Sequence, residues 1–244
     1  MDEIGWRATR SRRSSSSDRR SDAHPQEVST SLDRVTSEVA PRVHAIPLIG
    51  ATAFAILEDE ITVIDAGMRG SLPRLHAAIR ALGRSPAEIA RFVVTHAHPD
   101  HLGGAAGADV LLHQADLDRA LRLNAGTIAR RLALRRASQT VAIADGDRLP
   151  ALGGLRVVHT PGHTPGSVCL YAEREGILFS GDALWRDDSG MLHRPNRYWS
   201  EDLGAARTSV ARMAALDVGT ILFGHLPPLE RATIALRELA SRWS

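Results

Sequence analysis

The chain has 244 residues, of which 43% are hydrophobic and 24% are charged, as expected of a globular protein with a sizeable core. All 30 basic residues are arginine, which excludes a lysine nucleophile or Schiff base, and the single cysteine excludes an internal disulfide. The net charge is only +2, and the sequence shows neither a membrane-length apolar run nor a secretory signal. We therefore expect a cytoplasmic protein without a membrane partner.

The first 36 residues differ in composition from the rest of the chain. They are rich in arginine and serine and contain few large apolar side chains, which is typical of segments that cannot bury enough surface to fold. We expect residues 1–36 to form a disordered tail and residues 37–244 to form one folded domain. A basic arm for nucleic acid is the alternative role for the tail, and we favour a dispensable extension.

Short apolar runs bounded by turn residues predict strands along the folded domain, and apolar residues at helical spacing predict helices. In chain order, we expect strands in "VHAIPL", "TAFAIL", "ITVIDAG", "RFVVTHAH", "DVLLH", "LRVVHTPGH", "SVCLYA", "GILFSGD" and "TILFGH", and helices in "LPRLHAAIRALG" and at about 116–137, 202–215 and 229–242. Strands that are followed by alternating strands and helices indicate an α/β protein with mixed sheets and helices outside.

Four of these strands end in residues that can bind a metal ion. Active sites of α/β proteins lie at strand ends, on loops held by the sheet. A single histidine after a strand is commonly structural, whereas four strand ends that all deliver such residues indicate a shared site. The candidate metal ligands are His96, His98, Asp100, His101, His163, Asp182 and His225.

The spacing of the first four candidates indicates two ions rather than one. His96 and His98 are two residues apart in extended chain and therefore point the same way, while Asp100 and His101 can turn toward a second ion. Gly103–Gly104 leave room for close backbone approach. Imidazole and carboxylate ligands without thiolate suit zinc, with iron or manganese possible. Seven ligands exceed the needs of one tetrahedral zinc, so we expect two Zn²⁺ ions.

The motifs "THAHPDH", "TPGHTPGS", "SGD" and "FGH", in this order, resemble those of the metallo-β-lactamase-fold hydrolase superfamily. The resemblance extends from about Val39 over nearly the whole chain. It implies a four-layer αββα sandwich of two mixed β-sheets with helices outside, and metals at one edge between the sheets. By this resemblance, the first metal is bound by His96, His98 and His163, the second by Asp100, His101 and His225, and Asp182 bridges both.

One feature indicates the branch within this superfamily, and two others differ from the pattern of particular members. Antibiotic-hydrolysing members with a cysteine ligand carry it near the position of Asp182, so the aspartate resembles the glyoxalase II and general hydrolase branch. Glyoxalase II uses basic residues that include lysine to hold glutathione, and this chain has no lysine. Acyl-homoserine lactonases place a tyrosine shortly after the bridging aspartate, where this chain has Trp185. The specific member stays unassigned.

The expected reaction is hydrolysis of a small ester, thioester or lactone by a hydroxide held between the two metals. Asp100 and Asp182 are the candidate catalytic residues, because either can carry a proton to the leaving group. The positive charge that the ions retain favours an anionic substrate. The alternatives are a mononuclear iron persulfide dioxygenase on the same fold and a phosphodiesterase or nucleic-acid-processing enzyme; we expect a small-molecule substrate rather than nucleic acid.

Two further sets of residues lie near the expected site. Asp65, in "VIDAG", either orients a ligating histidine or caps the next turn. The loop at 184–199 begins two residues after Asp182 and is a candidate wall for the substrate, with arginines that suit a carboxylate or phosphate. The candidate substrate-binding residues are Trp185, His193, Arg194, Arg197 and Tyr198.

Overall fold

The protein, analysed as a computed structural model, is described at residues 36–121 and 134–243. The described residues include only the last residue of the predicted tail at 1–36. They also leave out the middle of the predicted helix at 116–137. Two β-sheets and a separate hairpin account for the strands, and helices occupy the crossovers and the end of the chain.

The first sheet has seven strands, which lie side by side in chain order. They are β1 (Ser37–Ala40), β2 (Val43–Pro47), β3 (Thr52–Leu57), β4 (Ile61–Ile64), β5 (Ile89–Val93), β6 (Asp109–His113) and β7 (Thr140–Ile143). The strands from β1 to β4 pair antiparallel, and those from β4 to β7 pair parallel. The sheet is therefore mixed, and the carboxyl ends of β4, β5 and β6 point to one edge.

The second sheet has six strands, and a two-stranded hairpin lies apart from it. The sheet strands are β8 (Arg148–Leu149), β9 (Leu155–His159), β10 (Val168–Ala172), β11 (Ile177–Gly181), β14 (Thr220–Phe223) and β15 (Leu229–Glu230), and the hairpin strands are β12 (Trp185–Arg186) and β13 (Leu192–His193). Their order across the sheet is β15-β14-β11-β10-β9-β8. Only β11 and β14 pair parallel, so their carboxyl ends lie side by side.

The described helices are α1 (Leu72–Ala81), α2 (Pro99–Leu102), α3 (Gln114–Leu121), α4 (Leu203–Ala214) and α5 (Ala232–Arg242), with a 3₁₀ helix at Pro86–Glu88. Helix α4 begins after Asp202, whose carboxylate accepts a hydrogen bond of 2.9 Å from the Ala205 amide. Among the described residues, none of the helices has the length and apolarity needed to cross a membrane.

Three buried apolar clusters separate four layers. On β3, Phe54 and Ile56 face a cluster between the sheets, whereas Ala53 and Ala55 face a cluster shared with α1. The third cluster joins the other face of the second sheet to α4 and α5, and includes Met213. The predicted αββα sandwich is confirmed.

Several short strands were not evident from sequence. Strands β8, β12, β13 and β15 have two residues each, which is too short for an alternating pattern to be visible. The last helix was predicted to begin at Leu229 and instead begins at Ala232, because Leu229–Glu230 pair with β14. The longer predicted strands and the helices at 72–81 and 203–214 are confirmed.

Candidate metal centre

The candidate ligands converge at one edge of the sandwich, where the two sheets are tied together. The backbone amide of Val168, at the start of β10, donates to the carbonyl of Thr95, which follows β5, at 2.9 Å. The amide of Thr52, at the start of β3, donates to the carbonyl of Gly224, which follows β14, at 2.7 Å. These bonds fix the loops after β5 and β14 beside each other. Five of the seven predicted ligands lie on loops at this edge, and Asp100 and His101 lie on the short helix α2.

The first group consists of three imidazoles whose nitrogens face one another. His96 Nε2 lies 3.0 Å from His98 Nδ1 and 3.1 Å from His163 Nε2. The His98 Nδ1 and His163 Nε2 atoms are 3.0 Å apart. Three nitrogens that meet pairwise in this way cannot all form in-line hydrogen bonds with each other. Zinc–nitrogen bonds of about 2.0–2.1 Å place tetrahedral ligands about 3.3 Å apart, close to this spacing.

The second group is made of Asp100, His101 and His225. His101 Nε2 lies 3.2 Å from His225 Nε2, and Asp100 Oδ2 lies 3.8 Å and 3.5 Å from these two nitrogens. Gly224 makes this arrangement possible, because a Cβ at that position would lie 2.7 Å from the His101 ring and 3.0 Å from Asp182 Oδ1.

Asp182 lies between the two groups, with one oxygen toward each. Its Oδ2 is 3.4 Å from His163 Nε2, and its Oδ1 is 3.4 Å from His101 Nε2 and 3.2 Å from His225 Nε2. Within the described part of the chain, Oδ1 is buried and has no hydrogen-bond partner. An unpaired buried carboxylate oxygen is costly unless a cation or donor reaches it.

The two groups differ in the protonation that their surroundings favour. Burial holds the pKa of His96 well below its ordinary value and lowers the pKa of His163 to about 4, so both rings keep a lone pair free at neutral pH. Burial also opposes a charge on His101, but the Asp65 and Asp182 carboxylates outweigh it and raise its pKa well above the ordinary value. A cation that binds there displaces this proton.

Asp65 contacts the second group directly. Its Oδ2 lies 2.7 Å from His101 Nδ1, and its Oδ1 accepts a hydrogen bond of 2.8 Å from the Thr95 amide. Asp65 itself has a left-handed backbone conformation, with φ of 56° at the end of β4. The geometry is that of a carboxylate that orients a histidine; this role stays a prediction.

Asp116 is a buried carboxylate that sequence reasoning missed. It accepts hydrogen bonds from the Ala97 amide at 2.7 Å, the Thr164 hydroxyl at 2.8 Å and the Gly166 amide at 2.9 Å. It thereby joins the loop that carries His96 and His98 to the loop that carries His163. Its position on α3, in a stretch with an ordinary helical pattern, gave no signal of this role.

A cavity of about 550 Å³ opens over the two groups. Of the five predicted substrate-binding residues, Trp185 lines it, and His193 stacks on the Trp185 ring at 4.6 Å. Arg194 lies over the Trp243 ring, and Arg197 lies over the Tyr198 ring. Apart from the candidate ligands, the lining also includes Asn196 and Trp199 from the loop predicted as a wall, and Phe223 and Leu226, which sequence reasoning missed.

The side chains at this edge form groups that could hold divalent cations. In each of three sets of residues, the ligand atoms lie within 4.8 Å of one another, and the three sets together contain all seven predicted ligands. The sets are His96, His98 and His163; His96, His101 and Asp182; and Asp100, His101 and His225. Neutral imidazoles, carboxylates and the unpaired oxygen of Asp182 form a donor set that matches zinc or a similar ion.

Known proteins are similar to this chain in sequence and in fold. The chain is 30% identical over 192 residues to the lactamase-like protein adaB of Aspergillus niger, with 78% of this chain and 52% of the relative covered. It is 32% identical over 193 residues to a hydroxyacylglutathione hydrolase of Pseudomonas savastanoi pv. phaseolicola, with 75% and 64% covered. The chain thus spans between half and two thirds of the length of these relatives.

The fold of this chain is similar to that in the crystal structure of a metallo-beta-lactamase family protein from Thermus thermophilus. The TM-score is 0.64 at 23% sequence identity, with 84% of this chain and 80% of that chain covered. The sequence model of the metallo-beta-lactamase superfamily matches residues 47–225, which include all seven candidate ligands. The chain belongs to the metallo-beta-lactamase superfamily.

Proposed function

We propose that the protein is a dinuclear metal-dependent hydrolase that cleaves an ester, thioester or lactone bond in a small molecule. The observation that carries this proposal is the position of Asp182, whose two oxygens face two separate groups of ligands. The ligand set of imidazoles and carboxylates favours zinc, and iron or manganese are the alternatives. The hydroxyacylglutathione hydrolase relative bears the name of a thioester hydrolase, which supports the carbonyl chemistry.

A bound pair of divalent cations supplies hydroxide at neutral pH and polarises a carbonyl oxygen. The chain's own residues then place the substrate and move the proton. Both carboxylates line the cavity, but both oxygens of Asp182 face the histidine groups, whereas Asp100 has the more exposed side chain, at 31% against 19%. Asp100 is therefore better placed than Asp182 to accept a proton and deliver it to the leaving group.

A mononuclear iron site would use His96, His163 and Asp182 alone and would leave Asp100, His101 and His225 without a function. The second group is nonetheless fully assembled, with Asp65 hydrogen-bonded to His101. The dinuclear hydrolase therefore accounts for more of the observed contacts than the persulfide dioxygenase does.

The test is to count metal ions and to remove the shared ligand. We expect about two zinc ions per chain by elemental analysis, as in other two-metal hydrolases. Asp182→Ala should lower the metal content and reduce kcat/KM by more than the roughly 10–100-fold seen when supporting residues of metal sites are changed. The matched control is Asp188→Asn, an exposed aspartate of the following loop, which should leave both unchanged.

One iron per chain with oxygen uptake on a persulfide would overturn the proposal in favour of the dioxygenase. Full activity of the Asp182→Ala variant would overturn the dinuclear site. A panel of thioesters, lactones and phosphodiesters then separates carbonyl substrates from phosphoryl substrates.

A further inference from the structure

The cavity over the ligand groups is lined by two kinds of residue, here called its floor (the candidate ligands) and its walls (the apolar side chains). The floor is formed by ligand residues, of which His98, Asp100, His163, Asp182 and His225 line the cavity. The walls are formed by Pro99, Leu184, Trp185, Trp199, Phe223 and Leu226, and Asn196 is the one polar side chain among the described lining residues that is not a candidate ligand. A substrate that fills the cavity therefore contacts both ligand residues and apolar side chains.

No cationic side chain other than the ligand histidines lines the cavity in the described part of the chain. The arginines closest to it in sequence are engaged elsewhere. Arg186 donates to the Pro227 carbonyl at 3.2 Å, Arg194 lies over the Trp243 ring at 5.3 Å, and Arg197 lies over the Tyr198 ring at 4.6 Å. A carboxylate or phosphate on the part of the substrate against the walls would find no guanidinium there and would lose part of its hydration.

Two tryptophans in the wall expose an unusually large apolar area. The exposed fraction is 71% for Trp199 and 38% for Trp185. Large aromatic side chains that stay exposed beside a cavity are typical of ligand sites, because a bound apolar group removes their surface from water. Ile49 and Met68 are also exposed, and the turn that carries Ile49 packs at Gly50 against the Asp100 side chain.

We propose that this wall binds an uncharged, apolar acyl group, so that the preferred substrates are acyl esters, thioesters or lactones with a hydrocarbon chain. The proposal rests on the hydrolase function proposed above and names the substrate class of the same site. The carbonyl is placed at the floor beside Asp182 and His225, and the chain lies against Trp199, Leu226 and Phe223. This differs from the anionic substrate that the sequence led us to expect.

The first measurement is the dependence of hydrolysis on chain length. With p-nitrophenyl esters of acetate, butanoate, hexanoate and octanoate, kcat/KM should rise by up to about fourfold per methylene, the factor equivalent to about 0.8 kcal/mol for a fully buried methylene. The hexanoyl ester is matched by its adipoyl counterpart, which has the same number of carbons and a terminal carboxylate. We expect at least about a tenfold preference for the hexanoyl ester.

The second measurement uses variants of the wall. Trp199→Ala should lower kcat/KM for the octanoyl ester by about tenfold, which corresponds to about 1.4 kcal/mol, and should affect the acetyl ester far less. Trp199→Phe should restore most of the preference for long chains, because an aromatic surface is kept. The matched control is Ile234→Ala, which removes an exposed apolar side chain on α5 outside the cavity lining and should behave like the unmodified protein.

A third measurement separates this proposal from the hydrolase function. Unbranched methyl ketones cannot be hydrolysed, and their binding to the zinc-loaded protein can be followed by tryptophan fluorescence. If affinity rises with chain length and falls in Trp199→Ala while no ester is cleaved, the hydrolase function is wrong and the apolar subsite stands. If esters are cleaved with no dependence on chain length, or the adipoyl ester is preferred, the subsite is wrong and the hydrolase stands.

Discussion

One histidine of each ligand group contacts a side chain outside the group: His96 contacts Thr95, and His101 contacts Asp65. The Thr95 hydroxyl lies 3.2 Å from His96 Nδ1 and donates to the Asp65 carboxylate at 2.9 Å, while the same carboxylate lies 2.7 Å from His101 Nδ1. Each ring therefore has its far nitrogen in a polar contact, which directs its Nε2 toward the ligand cluster. The orientation of the two groups is coupled through Asp65, a residue that belongs to neither.

Asp116 holds the loops of the first group in a similar way, and its replacement is a direct test. In Asp116→Asn, a side-chain NH₂ group replaces one of the two carboxylate oxygens that accept hydrogen bonds from the Ala97 and Gly166 amides. A donor then faces a donor, so the free energy of unfolding should fall by about 2–3 kcal/mol. Zinc affinity should fall by about 10–100-fold, because His96, His98 and His163 lose their fixed spacing. Urea denaturation and metal titration measure the two effects.

The matched control for Asp116 is Asp118→Asn on the same helix. Asp118 is exposed, and its carboxylate accepts a hydrogen bond from the Gln114 side chain at 2.6 Å. Its replacement should change stability by no more than about 0.5 kcal/mol and should leave zinc affinity unchanged. An Asp116→Asn variant that binds zinc like the unmodified protein would refute a positioning role.

At the scale of elements, the short helix α2 is docked on the loop that follows β4. The Ala66 amide donates to the His101 carbonyl at 2.7 Å, and the Gly104 amide donates to the Gly67 carbonyl at 2.9 Å. This contact brings Asp65, at the start of the same loop, beside the His101 ring. The docking of α2 on this loop therefore places Asp65, which follows β4, against His101, a candidate ligand that follows β5.

Gly104 is required for this docking because the backbone of the loop lies directly against it. A Cβ at position 104 would be 1.9 Å from the Ala66 carbonyl oxygen. Gly104→Ala should therefore force the loop away, lower the free energy of unfolding by about 2–3 kcal/mol and weaken zinc binding by displacing Asp65. Denaturant unfolding and metal titration measure both.

Gly219→Ala is the control for Gly104. A Cβ there would meet its nearest atom, the Gly176 carbonyl oxygen, at an ordinary contact distance of 3.5 Å. Alanine at such a position should leave stability unchanged or raise it by about 0.4–1 kcal/mol. Equal stability of the Gly104→Ala and Gly219→Ala variants would show that the docking of α2 does not require glycine at position 104.

The sequence was most informative where short strands run into histidines and aspartates. His96 and His98 could be placed together because they are two residues apart after an apolar strand, and Gly104 could be assigned to close approach from its position after the ligands. That His163 and His225 share a site with them was predicted from their positions after strands, but their assignment to different ions needed the resemblance, since 62 residues separate them and no local pattern reports the pairing of their strands.

Contacts made through tertiary packing were not predictable from the sequence. Asp116 reaches Gly166 across 50 residues, and nothing in its helix marks the carboxylate as buried. In the loop at 184–199, which was predicted to be a substrate wall, charge favoured Arg194 and Arg197 as substrate contacts, whereas the lining contains Trp199 and neither arginine. Which side of a loop faces a cavity depends on its stacking and hydrogen-bond partners, such as Trp243 for Arg194.

At the scale of the molecule, the ligands come from both sheets. His96, His98, Asp100 and His101 follow β5 in the first sheet, whereas His163, Asp182 and His225 follow β9, β11 and β14 in the second. Away from this edge, the sheets are held by apolar packing, in which Phe54 meets Phe179 edge-on at 5.5 Å. Metal ions bound at the edge would therefore link the two halves of the sandwich.

Removal of the metal should consequently destabilise the whole domain and not only the loops. At a zinc concentration about 1,000 times the dissociation constant, binding contributes about 4 kcal/mol, so chelation should lower the melting temperature by about 10 °C in a domain of this size. Calorimetry with and without a chelator measures the shift. The shift should persist in Ile234→Ala and shrink in Asp182→Ala, whose ligand groups are no longer joined. An unchanged melting temperature after complete loss of zinc would show that apolar packing alone holds the sheets together.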